Sequence, residues 1–243
     1  MRPTLENLLS IPWRRPFIAT FAAAFATLAR PDCCLCGRPA GSDGVPLCAD
    51  CARDLPPPAA HACPRCALPS PAGEICGHCL REPPAFDSTR AAFDYAFPLD
   101  VLVKRLKYGH RLALAGFFAH ALAPLPCVDL VLPMPLHPRR LRARGFNQAV
   151  EIARPLARAA NVPLALAAVA RIRDTPPQAS LERDARLTNL RTAFASRRRF
   201  DGLRIALVDD VMTTGASLDA LARCLKASGA AQVHNLVVAR TGW

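Results

Sequence analysis

The chain has 243 residues, 51% of them hydrophobic, and so can hold one sizeable domain plus a small module, domains commonly running about 100–200 residues. Its formal net charge of +12 comes mainly from arginine, clustered in HPRRLRARG (137–145) and RRR (197–199). That balance points to anionic partners, phosphorylated metabolites or nucleic acid, although the 197–199 run also fits a solvated basic face. The first apolar stretch, FIATFAAAFATLA (17–29), has 13 residues against the ~20 that span a bilayer, which excludes a membrane span there. It leads into RPDCCLC without a convincing cleavage site, so 1–30 reads as an alanine-rich amphipathic helical segment of a cytoplasmic protein.

Nine of the eleven cysteines lie between positions 33 and 79, and eight of them form C-x-x-C pairs: Cys33/Cys36, Cys48/Cys51, Cys63/Cys66 and Cys76/Cys79. Two residues between thiolates let one turn present both sulfurs to a single tetrahedral ion, and two such turns complete a four-thiolate site. The expectation is two structural zinc ions in a module over 31–85. A disulfide framework is the rival, but it needs an oxidising compartment, and no export signal supports one. Spacing leaves open whether the pairs combine sequentially or interleave. Gly37 and Gly77 suit tight knuckle turns; Cys34, His61 and His78 are candidate substitute ligands that read more simply as bystanders. Such closed sites leave no open position for chemistry, so the module is structural or interaction-making.

Proline clusters in DLPPPAAHACP (54–64) and REPPAF (81–86) mark linkers, the second leading into a larger domain over 86–243. There AAFDYAF (91–97) alternates as a strand does. Asp100 could cap one helix through VLVKRLKYGHRLALAGFFAHAL, and VDLVLPMP (128–135) is a short buried strand. NQAVEIARPLARAANVP has helical spacing with Pro155 expected to kink it. LRIALVDD is a second buried strand, SLDALARCLKASGA a helix ended by Gly229, and QVHNLVVAR a last strand. Cys127 and Cys224 read as ordinary buried residues. Strands alternating with helices predict an α/β domain with a largely parallel sheet and flanking helices.

Ligands of such sheets sit beyond the carboxyl ends of the strands. Asp209 and Asp210 are expected there, after the apolar run Ile205–Val208. The following MTTGAS can aim backbone N–H groups and the hydroxyls of Thr213, Thr214 and Ser217 at a phosphate, at the N-terminus of the 218–228 helix. Carboxylates repel phosphate but accept hydrogen bonds from sugar hydroxyls. Acids and cradle together therefore suit a pentose 5-phosphate, whereas a plain helix cap needs one Ser or Asp.

ALVDDVMTTGAS closely resembles the phosphoribosyl pyrophosphate (PRPP) signature of type I phosphoribosyltransferases. With LKYGHR (106–111), LPMPLHPRRLRARGFNQA (132–149), TPPQASLERDARLTNLRTAF (175–194) and the cysteine module, the chain resembles the ComF family of competence-associated proteins over about residues 31–240. The resemblance implies that Asp209 and Asp210 bind the ribose hydroxyls and that Thr213, Thr214, Gly215, Ala216 and Ser217 bind the 5-phosphate. It implies a pyrophosphate loop from Met134 to Gln148 with Arg144 and Gly145 in it. It also implies a mobile loop over 172–195 with Gln178, Arg186 and Asn189 at the family's positions. Lys104 and Lys107 are possible further phosphate contacts; Arg139, Arg140 and Arg142 are pyrophosphate contacts or basic surface. Three functions follow from the resemblance: Mg²⁺-dependent phosphoribosyl transfer from PRPP to an acceptor, handling of single-stranded DNA with the DNA-uptake machinery, or PRPP sensing without turnover.

Overall fold

The computed structural model describes residues 31–41, 45–173 and 193–242. The helix expected before residue 31, and Gln178, Arg186 and Asn189 of the expected mobile loop, lie outside the described residues.

Four strands form one wholly parallel sheet in the order β1-β6-β5-β2: β1 Ser88–Asp94, β2 Leu130–Pro133, β5 Arg204–Met212 and β6 Gln232–Arg240. The helices are α1 Ala49–Arg53 and α2 Gly77–Arg81 in the cysteine region, then α3 Leu99–Gly109, α4 Ala113–Ala121, α5 Pro138–Arg144, α6 Gln148–Ala160 and α7 Ala216–Ala227. A short antiparallel pair, β3 Val169–Arg171 with β4 Phe194–Ser196, stands apart from the sheet. Parallel sheets are buried on both faces, and the near-continuous apolar runs of β5 and β6 meet that demand. Alternation along each strand divides the core. Ile205, Leu207, Val233 and Val237 pack with Leu218, Leu221 and Leu225 of α7. Ala206, Val208, Leu236 and Val238 pack with Leu99, Leu102 and Leu106 of α3, Phe118 of α4, and Ile152 and Leu156 of α6.

The cysteine region is built into both layers. Cys63, Cys66, Leu68 and Cys79 join the α7 layer, while Cys33, Leu47 and Leu55 join the other. It also covers the β1 edge: the Thr89 N–H donates to the Pro64 carbonyl at 3.0 Å and the Asp94 N–H to that of Pro56 at 3.2 Å. The β2 edge is covered by the chain after α6, where Val131 N–H donates to Pro163 O and accepts from Ala165 N–H, both at 2.9 Å. Both sheet edges are thereby partly covered.

Several elements differ from the expectations. The expected single helix after Asp100 is two, because His110 takes a left-handed conformation (φ 51°) that ends α3. Pro98, not Asp100, precedes α3; the Asp100 carboxylate accepts from Lys104 at 2.8 Å instead. Pro155 lies inside an α6 that continues to Ala160, since Ala149, Ile152, Ala153, Leu156 and Ala157 all bury one face, outweighing one lost hydrogen bond. The expected 91–97 strand is β1, shifted to 88–94 by its pairing with β6. Gly77 opens α2 and makes no knuckle turn. Cys127 is exposed, with the Arg204 guanidinium 3.0 Å from its sulfur.

Candidate metal centres and anion site

The eight cysteines converge into two groups, Cys33, Cys36, Cys48, Cys51 and Cys63, Cys66, Cys76, Cys79, so the pairs combine sequentially. Each group is the same small device used twice. A bridge joins Asp32 to Pro39 and Ala62 to Pro69; within it the Cys33 N–H donates to Arg38 O at 2.7 Å and the Cys63 N–H to Leu68 O at 2.8 Å. The residue after the second cysteine turns left-handed, Gly37 at φ 74° and Ala67 at φ 57°. The later pair of each group starts a one-turn helix, with Cys48 before α1 and Cys76 before α2.

Backbone amides then point at sulfur: Leu35 N–H at Cys33 Sγ (3.5 Å) and Cys76 N–H at Cys63 Sγ (3.4 Å). Tetrahedral zinc at Zn–S of about 2.3 Å separates its sulfurs by about 3.8 Å. Cys36 and Cys48 stand 3.7 Å apart, and Cys66 and Cys76 3.6 Å. Both donor sets therefore fit a four-thiolate zinc ion. Arg38, hydrogen-bonding to Cys36 through its side chain and backbone, lowers that thiol to about 6 and so favours the thiolate. Cys34, His61 and His78 belong to neither group.

The second site lies at the carboxyl edge of the sheet. Strand β5 runs through Asp209 and Asp210 to Met212, two residues beyond the acids, because pairing with β6 continues to Met212↔Arg240. Adjacent strand residues project to opposite sides, so the two carboxylates have different surroundings. Asp210 is buried, with Lys107 Nζ of α3 3.0 Å from its Oδ2. That oxygen nonetheless lacks an aligned hydrogen bond, while Oδ1 accepts from Val211 N–H at 2.7 Å. Asp209 Oδ1 accepts from Asp210 N–H at 2.9 Å. Burial, and then the charge of Asp210, hold the Asp209 carboxyl well above the usual carboxylate range; Lys107 and Arg171 oppose this.

Two residues further on, the chain turns through Thr213 and Thr214 into α7. Gly215 precedes the helix at φ 80° and brings no side chain to cap it, while Thr214 Oγ1 accepts from Ala216 N–H at 3.4 Å. A Cβ at Gly215 would lie 2.6 Å from Met212 Cε, so the turn is wound tightly over the core. The result is a hydroxyl-rich turn opening a 12-residue helix beside two acids. Thr213, Thr214, Gly215, Ala216 and Ser217 thus adjoin Asp209 and Asp210 as a continuous segment.

A basic wall stands beside it. The expected pyrophosphate loop contains a helix, α5, for which Pro138 and the His137 side chain form the start and Gly145 (φ 82°) the end. The Asn147 side chain accepts from Ala149 N–H to cap α6 and donates to Met134 O, both at 3.0 Å, joining the β2 end to α6. Lys107, Tyr108, His110, Arg140, Ala143 and Arg144 line a cleft of about 240 Å³. Arg144 stacks over the exposed Tyr108 ring at 5.3 Å and hydrogen-bonds Gln148. Lys107, the partner of Asp210, connects cleft and acids, whereas Lys104 is paired with Asp100. Arg139 and Arg142 also lie on α5 and are absent from the cleft lining.

Arg240 escaped the sequence reading. It ends the apolar run NLVVAR of β6 and is 3% exposed, with its guanidinium bonded to carbonyls of three chain segments. A terminal strand arginine reads as solvated in sequence; only the packing of the second cysteine group over it shows otherwise.

A wholly parallel sheet with this acid–hydroxyl edge, fronted by paired thiolate knuckles, defines a phosphoribosyltransferase-fold protein with a double zinc ribbon. Comparison agrees: a double zinc ribbon domain matches residues 25–80 and a phosphoribosyl transferase domain residues 146–242. The chain belongs to the ComF family. It is 33% identical over 220 residues to the DNA utilization protein YhgH of Salmonella typhi, covering 86% of this chain and 96% of that one. It is 30% identical to Competence protein F of Haemophilus influenzae, over 80% of this chain and 85% of that protein. Among solved structures, the B. subtilis glutamine PRPP amidotransferase gives a TM-score of 0.36 at 20% identity, covering 52% of this chain and 25% of that one. Among the described residues no helix is long and apolar enough to cross a membrane.

Proposed function

We propose that this chain binds PRPP with Mg²⁺ at the carboxyl edge of its sheet and transfers the phosphoribosyl group to an acceptor, in the cytoplasm and in the service of DNA utilisation. The observation that carries this reading is the pairing of unlike features: a buried Asp210 whose Oδ2 has a cation but no aligned hydrogen bond, shortly before a helix start wound through Gly215, whose N-cap residue supplies no side-chain cap. Sugar hydroxyls supply the donors that the carboxylates lack, and a phosphate accepts the N–H groups that the helix start leaves over.

In this reading Asp209 and Asp210 hold the ribose hydroxyls, and Thr213 to Ser217 hold the 5-phosphate. Arg144 and the Gly145 turn face the pyrophosphate, with Arg140 and Lys107 adding charge in the same cleft. The bond from the anomeric carbon to pyrophosphate breaks, the leaving group takes the electron pair, and the acceptor's lone pair forms the new bond. The intervening oxocarbenium character and the anionic leaving group need positioning and charge stabilisation from the protein, with no dedicated nucleophile. Carboxylate oxygens are hard donors that suit Mg²⁺, which when bound neutralises pyrophosphate charge.

Titration calorimetry with PRPP and Mg²⁺ tests this. The intact protein should bind, and Asp209→Asn with Asp210→Asn should abolish binding. Because Asp209 is held above the usual carboxylate range, it is the neutral form that persists at mildly acid pH; affinity should therefore rise as pH is raised from about 5 to about 8. No binding by intact protein at any of these pH values would end the proposal.

A second reading rests on Tyr108, 70% exposed in a cleft of four cationic or titratable side chains, a surface on which a nucleobase can stack beside its phosphate. Filter binding of single-stranded DNA against salt, with Tyr108→Ala, separates it. Steep salt dependence and loss of affinity in the variant would support it, and no affinity at low salt would remove it.

A further inference from the structure

We infer that the second cysteine group is a working part of the anion turn, and that Arg240 is the positioning residue that couples them. The link is direct. Arg240 Nε donates to the carbonyl of Cys66 at 2.9 Å. Its Nη1 donates to Met212 O at 3.1 Å, to Thr241 O at 2.7 Å and to Thr213 O. One rigid, planar guanidinium thus joins a zinc-ribbon knuckle to the first residues of the turn that opens α7.

The Cys66 end of this bridge is set by the knuckle itself, which closes through Ala67 N–H to Cys63 O (2.9 Å) and Cys63 N–H to Leu68 O (2.8 Å). The turn end rests on apolar contact as well, since Met212 and Phe86 share one buried cluster with Cys63, Cys66 and Cys79. Charge completes the argument. A guanidinium taken out of water is costly unless it is paired, and no carboxylate pairs with Arg240 among the described residues. Burial works against the Arg240 charge, and four thiolates around one divalent ion carry a net negative charge that offsets part of that cost.

The first cysteine group makes the contrast. Its neighbouring cation is Arg38, which comes from its own knuckle, is 61% exposed, and pairs with Asp50 at 3.1 Å. The two ribbons repeat one design, yet only the second takes its cation from the sheet and shares it with the turn. Zinc in the second group therefore holds Thr213–Ser217 in shape; Arg38 does nothing comparable.

The inference deepens the PRPP reading, and its test separates the two. Full-length, zinc-loaded protein is compared with Arg240→Met, Arg240→Lys, Cys76→Ser and Arg38→Met by hydrogen exchange of the 209–218 segment, zinc content and PRPP·Mg²⁺ calorimetry. Arg240→Met should keep two zinc ions per chain while amides of Thr213–Ser217 exchange about tenfold faster or more and PRPP affinity drops by a similar factor, the scale of lost charge-assisted hydrogen bonds. Core amides of β6 such as Val237 should keep their protection. Arg240→Lys, which keeps the charge without the planar fork, should fall between, and it carries the test if the Met variant does not fold. Cys76→Ser should lose one zinc and loosen the turn in the same way, while Arg38→Met should leave the turn unchanged. Unchanged turn exchange in Arg240→Met or in Cys76→Ser, or equal loosening in Arg38→Met, would overturn the coupling. Absence of PRPP binding by the unsubstituted protein would instead strike the proposed function, with the exchange comparison still deciding this one.

Discussion

Replacing Gly215 with alanine puts one methyl group where two independent constraints oppose it. The backbone there has φ 80°, a left-handed conformation that costs an L-residue about 1–2 kcal/mol. The new Cβ would also stand 2.6 Å from Met212 Cε, with Phe86 behind at 3.9 Å. Overpacking of this kind typically costs about 1–3 kcal/mol, partly relieved here because the clashing atom ends a flexible side chain. Alanine recovers about 0.4–1 kcal/mol by restricting the unfolded chain. The net expectation is a destabilisation of about 2–4 kcal/mol, read from urea denaturation at constant m. A second substitution divides the terms. With Met212→Ala already present the steric part is gone, so adding Gly215→Ala should cost only the backbone part, leaving a coupling energy of about 1–3 kcal/mol in the double-mutant cycle. The anion turn should deform along with the helix start, so PRPP affinity should drop further than stability alone explains. Gly215→Ala within about 0.5 kcal/mol of the parent protein, the range of an ordinary surface change, would refute the claim that this turn is wound over the core.

Two further outcomes are expected from other parts of the fold. Ala67→Gly should stabilise the second knuckle by about 0.5–1 kcal/mol, because Ala67 holds the left-handed position (φ 57°) that Gly37 holds in the first knuckle; a lowered urea midpoint would contradict this. Asp129 accepts from Arg204 through the backbone N–H, Nε and Nη2 at 2.9–3.1 Å, and these bonds lower its carboxyl to about 2. A lowered native value means stability that is present above the unfolded carboxylate range and lost as pH falls through about 2. Asp129→Asn should therefore lower the urea midpoint at pH about 6, and the gap to the parent should close as pH approaches about 2; a gap independent of pH would deny the ion pair its role.

The repeat C-x-x-C spacing, the apolar runs of β5 and β6, and the VDDVMTTGAS segment were legible in the chain alone because each is local: ligand reach, strand burial and turn chemistry act over a few neighbouring residues. Local reach also marks where reading stopped. Helix breaks at His110 and tolerance of Pro155 depend on which faces find partners, and strand length beyond Val208 depends on β6 lying alongside. The choice between sequential and interleaved cysteine pairing, equal in spacing, was made by packing, with one ribbon in each layer of the core. Lys107 meets Asp210 from more than a hundred positions away, and Arg240 reaches Cys66 across 174 positions and Thr213 across 27. Sequence by itself determined what each segment can do, the zinc-binding knuckles, the parallel strands and the acid-plus-hydroxyl edge. Tertiary structure alone decided which charges meet, because Coulomb and hydrogen-bond partners are chosen by distance through space, and a buried cation accepts whatever anion or carbonyl the fold brings to it.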